Sequence, residues 1–254
     1  MMRFGVCTGL ENAGVLASMG FDYVEVHTCN MMSMDEKSFA DYCAVNEAAP
    51  IRAEVANCLF PGDMMLVGPD ADAERIRFYI QRVMKRLAAL GVSVLVFGSG
   101  GCRRFPEDYP EEHAWRQMVN LGLMLGREAE PHGITVVLEP LCWGETNMVN
   151  SVWVAQKLIR EVGHPNFRML CDLYHFYQVG DSLRDLENCG DVLRHVHIAK
   201  PDDRCAMYPG DGMNYRDFFA SVRKAGYDGR ISFEGTLRNM QQELPNVLEV
   251  LNGL

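Results

Sequence analysis

The stretch KRLAALGVSVLVF, residues 85–97, joins a helix-like segment to a strand-like apolar run through a single glycine, Gly91. The same order of helix, glycine and strand recurs in EAEPHGITVVL, residues 128–138, and in VRKAGYDGRISF, residues 222–233. A glycine after the last helical residue is typical of a helix C-cap. Repetition of this unit is typical of strands and helices that alternate around a parallel sheet. The pattern therefore predicts an α/β fold.

Eight such pairs run along the chain without a change in composition or a linker. The predicted strands, each rich in Val, Ile, Leu or Phe as doubly covered strands are, span 3–8, 23–28, 51–58, 92–99, 134–140, 167–175, 194–199 and 229–235. The predicted helices span 11–20, 35–48, 71–91, 111–133, 151–163, 182–190, 215–226 and 243–254. Eight units favour a closed (β/α)8 TIM barrel over an open sheet, and we expect one domain over residues 1–254.

Bulk composition favours small-molecule chemistry. The 254 residues carry a formal net charge of −10, which repels a phosphate backbone, so we expect no nucleic-acid partner. The nine cysteines include no C-x-x-C pair and the start MMRFGVCTGL lacks a signal-peptide pattern, which favours a reducing cytoplasm. Apolar runs such as residues 92–97 are too short to span a membrane, so no membrane association is expected.

Four predicted strands end in a metal-ligating side chain. They are Glu139 in ITVVLEP, Asp172 in RMLCDLYH, His197 in RHVHIAK and Glu234 in ISFEG. Alone, each residue is equally well explained as a capping carboxylate or a packed histidine. In a barrel, however, the C-terminal strand ends meet at one rim. The set therefore predicts one divalent cation, and its oxygen-rich donors favour Mn²⁺ first, with Mg²⁺, Co²⁺, Zn²⁺ or Fe²⁺ also acceptable.

With these four residues, and with loop segments at 58–70 and 96–101, the chain resembles the xylose isomerase-like TIM-barrel superfamily. The resemblance is to its sugar phosphate isomerase/epimerase branch, which includes ketose 3-epimerases, hydroxypyruvate isomerase and inosose dehydratase. It implies that Glu139 and Glu234 are both metal ligands and the acid/base pair. It also selects His197 over His195 as the imidazole ligand.

The resemblance further implies three substrate-binding residues. His175 lies three residues after Asp172, Glu145 lies in the loop CWGETN, and Arg204 follows the metal histidine. The spacing of Arg204 is one residue longer than in the ketose 3-epimerases and closer to that in hydroxypyruvate isomerase.

The chemistry implied is removal of a proton next to a carbonyl, through a metal-stabilised enediolate, in a small carbohydrate or keto acid. Return of the proton to the opposite face gives epimerisation, whereas its return to the adjacent carbon gives isomerisation, and the motif leaves both open. Family barrels often pair, so a homodimer or a homotetramer is compatible with the resemblance.

Other functions remain alternatives at this level. A hydroxypyruvate isomerase-like or inosose dehydratase-like enzyme would use the same four ligands. An apurinic endonuclease would need further histidine ligands and a basic DNA track, and a non-catalytic metabolite-binding barrel would not need both glutamates. The turn 98–101, followed by Arg103 and Arg104, resembles a phosphate cradle, although tight turning explains its glycines more simply. At the end of strand two, Glu25 is a candidate supporting group for the cation site.

Overall fold

The computed structural model describes residues 2–254 and shows a closed barrel of eight parallel strands. Each strand pairs with its neighbours in chain order, and the last strand pairs with the first, which confirms the predicted (β/α)8 fold. The strands are β1 Arg3–Cys7, β2 Tyr23–His27, β3 Ala53–Asn57, β4 Val94–Phe97, β5 Thr135–Leu138, β6 Phe167–Asp172, β7 Leu193–Ile198 and β8 Arg230–Phe233.

Helices cover the outside of the barrel. They are α1 Ala13–Met19, α2 Thr28–Ser33, α3 Glu36–Ala48, α4 Ala73–Leu90, α5 Glu111–Ala129, α6 Val152–Val162, α7 Leu173–Val179, α8 Leu183–Glu187, α9 Tyr215–Lys224 and α10 Met240–Asn252. Gly91 and Gly163 adopt left-handed backbone conformations at the ends of α4 and α6, where the sequence predicts C-caps. No helix within residues 2–254 is both long and apolar enough to cross a membrane.

The structure differs from the predicted elements mainly after β6. The predicted strand 167–175 ends at Asp172, and its last three residues begin α7. Asp172 Oδ1 accepts a hydrogen bond of 2.7 Å from the backbone N–H of His175, which is an N-cap contact that starts this helix. A second helix without a predicted counterpart, α2, begins directly after His27. Both helices therefore start at the C-terminal rim of the barrel.

Two hydrophobic regions stabilise the barrel. The larger one lies between the outer faces of the strands and the helices. The smaller one fills the barrel interior and consists of Tyr23, Val55, Val94, Val96, Val137 and Leu170. Gly5 makes room for the Tyr23 ring, since a Cβ atom at Gly5 would lie 2.3 Å from a ring carbon. The apolar interior thus supports the polar side chains that stand above it at the C-terminal rim.

Gly190, in the turn before β7, allows the backbone to approach Ala225 at the end of α9 closely. A Cβ atom at Gly190 would lie 2.0 Å from the carbonyl oxygen of Ala225, a backbone atom that cannot rotate away. We therefore expect Gly190→Ala to lower the free energy of unfolding by about 1–3 kcal/mol, measured by urea denaturation.

The matched control is Gly14→Ala, because a Cβ atom at this position in α1 would meet no neighbouring atom within 4 Å. Alanine is the better helix former, so this variant should gain up to about 1 kcal/mol. Equal stability of the two variants would contradict the close approach at Gly190.

Candidate functional site

The four predicted ligands lie together inside the C-terminal mouth of the barrel. Ligand atoms of Glu139, Asp172, His197 and Glu234 all lie within 4.8 Å of one another. Strand alternation explains this, because each of these side chains points inward, on the same face as the interior residue two positions earlier. Glu139 stands above Val137 and Asp172 above Leu170. The first three ligands are buried, and Glu234 is partly exposed.

Several atoms of this cluster lack a hydrogen-bond partner although they are buried. They are Glu139 Oε1, Asp172 Oδ2 and His197 Nδ1. His197 Nδ1 lies 3.4 Å from Glu139 Oε1 and 3.4 Å from Glu234 Oε2. Buried polar atoms without partners each cost about 1–3 kcal/mol. A divalent cation placed among them would satisfy all of them at once, so the residues present fit a metal ligand set of three carboxylates and one imidazole.

The electrostatics of the cluster also favour a cation. Burial, and then the neighbouring Glu139 and Glu234, raise the pKa of Asp172 to about 7. Burial and Glu234 likewise raise the pKa of Glu139. Glu234 is only partly exposed, and this desolvation acts to raise its pKa, but His197 and Arg204 outweigh it and lower the pKa. Asp172 and Glu139 therefore hold a proton more readily than ordinary carboxyl groups, since the charges of the cluster repel one another in a site shielded from water.

Gly98 gives Glu139 the space that it occupies. It follows β4, and a Cβ atom there would lie 2.6 Å from Glu139 Oε2. Its φ is not positive, so the backbone conformation does not require glycine at this position. The glycine is required because a side chain would overlap the Glu139 carboxylate. The glycine-rich segment 98–101 thus begins with a residue that the cation cluster requires.

Glu25 hydrogen-bonds His197 at Nε2, the ring nitrogen that faces away from the other ligands. Its Oε1 accepts a hydrogen bond of 2.8 Å from His197 Nε2, and its Oε2 one of 3.0 Å from His195 Nε2. All three side chains are completely buried. Burial alone would raise the pKa of Glu25, but the two imidazoles, His197 first, hold it well below its usual range. An ionised Glu25 keeps the proton of His197 on Nε2, so that Nδ1 can face the cation.

His195 itself points to the layer below. Its Nε2 lies 3.3 Å from Ser232 Oγ, which in turn lies 2.8 Å from Tyr23 Oη. His195 is therefore a packed neighbour that links Glu25 to the apolar interior.

The three predicted substrate-binding residues form a second group on the other side of the mouth. The Arg204 guanidinium donates hydrogen bonds of 2.6 Å to Glu234 Oε2 and of 3.0 Å to Glu145 Oε1. His175 Nε2 lies 3.7 Å from the same Glu145 oxygen. The Arg204 backbone has a φ of +56°, and its guanidinium stands over the Tyr174 ring. The longer spacing of Arg204 from His197 therefore still brings its side chain to Glu234.

Hydrogen bonding determines which nitrogen of His175 carries its proton. His175 Nδ1 accepts a hydrogen bond of 3.1 Å from the backbone N–H of Cys142, and burial lowers the pKa of the imidazole to about 3. The ring is therefore neutral and its proton lies on Nε2, a buried atom without a partner. His175 consequently presents a hydrogen-bond donor, suited to a carbonyl or hydroxyl oxygen and unsuited to a metal ion.

The arginines that follow the glycine-rich turn support the loop after β5. Arg103 is completely buried and donates a hydrogen bond of 2.6 Å to the backbone oxygen of Glu139. Arg104 donates to the backbone oxygens of Trp143 and Gly144. Both guanidinium groups thus position the segment that carries Glu139 and Glu145, which does not resemble a phosphate cradle.

Sequence patterns gave little indication of two further residues at the mouth. Asn57, at the end of β3, donates a hydrogen bond of 3.5 Å to Glu234 Oε1. His27, at the end of β2, accepts one of 3.3 Å from the backbone N–H of Asn30 and so caps α2. Their position on the inward face of a strand end was the available signal, but neither residue type identifies a role by itself.

We expect Glu25→Gln to weaken Mn²⁺ binding about 10- to 100-fold, measured by titration calorimetry, because the neutral amide no longer fixes the orientation and proton of His197. The matched control is Glu54→Gln. Glu54 lies near the N-terminal end of β3, away from the cation cluster, and its carboxylate binds Arg3 and Arg230. That variant should lose stability but keep its metal affinity. Equal metal affinity in both variants would contradict the role of Glu25.

Metal affinity should fall as the pH is lowered from about 8 to about 6, because protons compete with the cation for the ligand atoms. Asp172, whose pKa is about 7, and His197, whose pKa is raised by Glu25 and Glu234 despite burial, must both be free of the competing proton. Calorimetry in buffers of different ionisation enthalpy should detect proton release on binding. Metal binding without proton release at about pH 6 would contradict this description of the cluster.

Comparison with known proteins agrees with the fold. Residues 14–252 match the family model described as Xylose isomerase-like TIM barrel. The 3-dehydro-D-guloside 4-epimerase of Escherichia coli (strain K12) is 30% identical over 167 residues, 63% of this chain and 63% of that protein, which is less than two thirds of its length. The inosose isomerase of Halalkalibacterium halodurans is 28% identical over 259 residues, 91% of this chain and 86% of that protein.

Among solved structures, the crystal structure of the IOLI protein with a zinc atom has a TM-score of 0.78 at 16% identity, covering 99% of this chain and 97% of that one. This likeness concerns the fold alone. The family model, by contrast, spans nearly all of the sequence, including all four residues of the cation cluster. The chain therefore belongs to the xylose isomerase-like TIM barrel family.

Proposed function

We propose that this protein is a divalent-metal-dependent isomerase or epimerase of a sugar or sugar phosphate, which moves a proton at the carbon next to a carbonyl. One observation carries the proposal: Glu139 and Glu234 each place a carboxylate oxygen 3.4 Å from His197 Nδ1. Two carboxylates thus flank a single cation position, where one can take a proton and the other can return it. The relatives named above, a sugar epimerase and an inosose isomerase, support the reaction class.

The cation would be held by Glu139, Asp172, His197 and Glu234, and Mn²⁺ is the ion that we propose. When bound, such an ion polarises the substrate carbonyl and stabilises negative charge on its oxygen. The zinc atom in the IOLI protein supports the presence of a divalent ion in a barrel of this kind.

The two carboxylates differ in a way that suits proton transfer. Burial raises the pKa of Glu139, whereas His197 and Arg204 outweigh burial and lower the pKa of Glu234. Glu234 is thus the better ionised base, and Glu139 is the better proton donor. If one carboxylate removes the proton from one face of the substrate carbon and the other delivers a proton to the opposite face, the stereocentre is inverted. If the same carboxylate returns the proton to the adjacent carbon, the sugar is isomerised.

The remaining residues position the substrate. His175 Nε2 donates a hydrogen bond to a substrate oxygen, and the Arg204 guanidinium adds positive charge beside it. Glu145 keeps Arg204 in place at 3.0 Å and accepts from a substrate hydroxyl. These contacts orient the carbonyl with respect to the carboxylates and compensate for the charge that develops on its oxygen.

The proposal is tested by deuterium uptake from D₂O into candidate ketoses, ketose phosphates, inososes and keto acids, measured by mass spectrometry with the Mn²⁺-loaded protein. Exchange should occur at the carbon next to the carbonyl. Glu234→Gln and Glu139→Gln should each reduce it at least about 100-fold, because each removes one proton-transfer group. Glu47→Gln, an exposed carboxylate in the last turn of α3, is the matched control and should exchange like the original protein.

Two results would contradict the proposal. Absence of exchange across the whole panel would favour a binding protein. Undiminished exchange in Glu234→Gln, with metal still bound, would remove Glu234 from the proton transfer.

A further inference from the structure

A cavity of 460 Å³ adjoins the cation cluster on the side of β1, β2 and β3. It is bounded on one side by Glu25 and Glu234 of the interior. Away from the cluster it extends along the C-terminal ends of β1 and β2 and the residues that follow them, and its lining there includes Thr8, Glu11, His27 and Asn30. This volume lies within the usual range of small-molecule pockets, about 300–1,000 Å³. His175 and Arg204, which we assign to the carbonyl end of the substrate, do not line it, so the cavity extends from Glu234 away from these two residues.

The charge of the cavity wall is negative. Three carboxylates, those of Glu11, Glu25 and Glu234, line it, and none of its lining residues is lysine or arginine. Arg204, which contacts the lining residue Glu234, has its guanidinium engaged by Glu234 and Glu145. A phosphate group placed here would bring about two negative charges next to carboxylates without a cationic partner, which opposes its binding.

The neutral polar groups of the cavity are suited to hydroxyl groups. His27 Nδ1 accepts the backbone N–H of Asn30, and burial lowers the pKa of the ring, so Nε2 carries a proton that it can donate. Burial, and then Glu11, raise the pKa of Tyr42 to about 12, which leaves its phenol protonated as a second donor. Glu11 supplies an acceptor. A sugar hydroxyl both donates and accepts, and it therefore matches this mixture of groups.

Glu11 is directed to the cavity by its position over Gly9. A Cβ atom at residue 9 would lie 2.1 Å from Glu11 Oε2, so the carboxylate lies directly against the glycine. Gly9 has an ordinary φ of −81°, and its backbone does not itself require glycine. The missing side chain thus gives the Glu11 carboxylate its place at the end of β1.

We propose that this cavity binds the part of the substrate remote from the cation, and that this part is an uncharged polyhydroxylated chain or ring. Glu11 and His27 are its specificity-determining residues, and a phosphate ester at this end is rejected. The inference rests on the proposed function, because the substrate is oriented by the cation cluster and by His175 and Arg204.

Binding and exchange are measured separately with the Mg²⁺-loaded protein. The probes are neutral ketoses and cyclic polyol ketones, each paired with its terminal monophosphate. Ligand-observed NMR gives the dissociation constants, and deuterium uptake from D₂O gives kcat and KM. The neutral member of each pair should bind at least about 10-fold more tightly. Its hydroxyl can donate a hydrogen bond to the Glu11 carboxylate, whereas the phosphate of the other member is repelled by that carboxylate.

The decisive variants change the charge at residue 11. Glu11→Gln should raise the dissociation constant and the KM of the best neutral ligand about 10-fold, with its kcat and metal affinity unchanged. Glu11→Lys should reduce or reverse the preference for the neutral member of each pair. Glu47→Lys makes the same change of charge in the last turn of α3, at the opposite end of the barrel, and should leave that preference as it is.

Equal binding of neutral and phosphorylated ligands, or equal selectivity in Glu11→Lys and Glu47→Lys, would overturn the inference. Failure of every neutral polyol to bind would overturn it as well. Selective binding without any deuterium exchange would support the inference and would instead refute the proposed proton transfer.

Discussion

Three carboxylates and one imidazole face each other in the mouth of this barrel. The mutual repulsion of the three carboxylates is the constraint on which the other features depend. Glu139, Asp172 and Glu234 cannot all be ionised at close range in a buried site without a positive charge between them. The unpartnered atoms of the cluster point to the same place. The barrel therefore has to hold these groups in position against their repulsion, and its interior layers provide that support.

The support comes from pairs of interior residues with complementary size and charge. Tyr23 fills the space that Gly5 leaves, and Glu139 occupies the space that Gly98 leaves. Glu25 brings one negative charge between two imidazoles, so that His197 is oriented by a hydrogen bond from behind as well as by the cluster in front. Glu25 is thus stabilised by two imidazoles within the protein, whereas burial raises the pKa of Glu139 and of Asp172.

The sequence supports prediction of the barrel and of the four strand-end residues because both follow from regular spacing. Alternation along a strand determines which side chains enter the interior, and repeated units bring the strand ends to one rim. The start of α7 was not predictable in this way. The segment after Phe167 is apolar enough to continue as a strand, and the N-cap hydrogen bond from the backbone N–H of His175 to Asp172, which marks the start of the helix, is not evident from the hydrophobic pattern.

Contacts between distant residues were equally inaccessible. The hydrogen bond between Arg204 and Glu234 is made by an arginine with a positive φ, and that between His197 and Glu25 joins β7 to β2, which are not neighbouring strands. Neither leaves a local pattern in the chain. Glu25 could be singled out as a supporting group from its place at the end of a strand, but its two partners could not be deduced.

The two carboxylate oxygens of Asp172 make different contacts. Oδ1 caps α7 through the His175 amide, and Oδ2 belongs to the cation cluster. The helix that carries His175 is therefore anchored to the same carboxyl group that faces the metal position. The backbone of His175 is therefore one hydrogen bond away from a group of the cation cluster. A glutamate has one more methylene and would displace both oxygens, so the cap of α7 and the ligand cluster together constrain the length of the side chain at position 172.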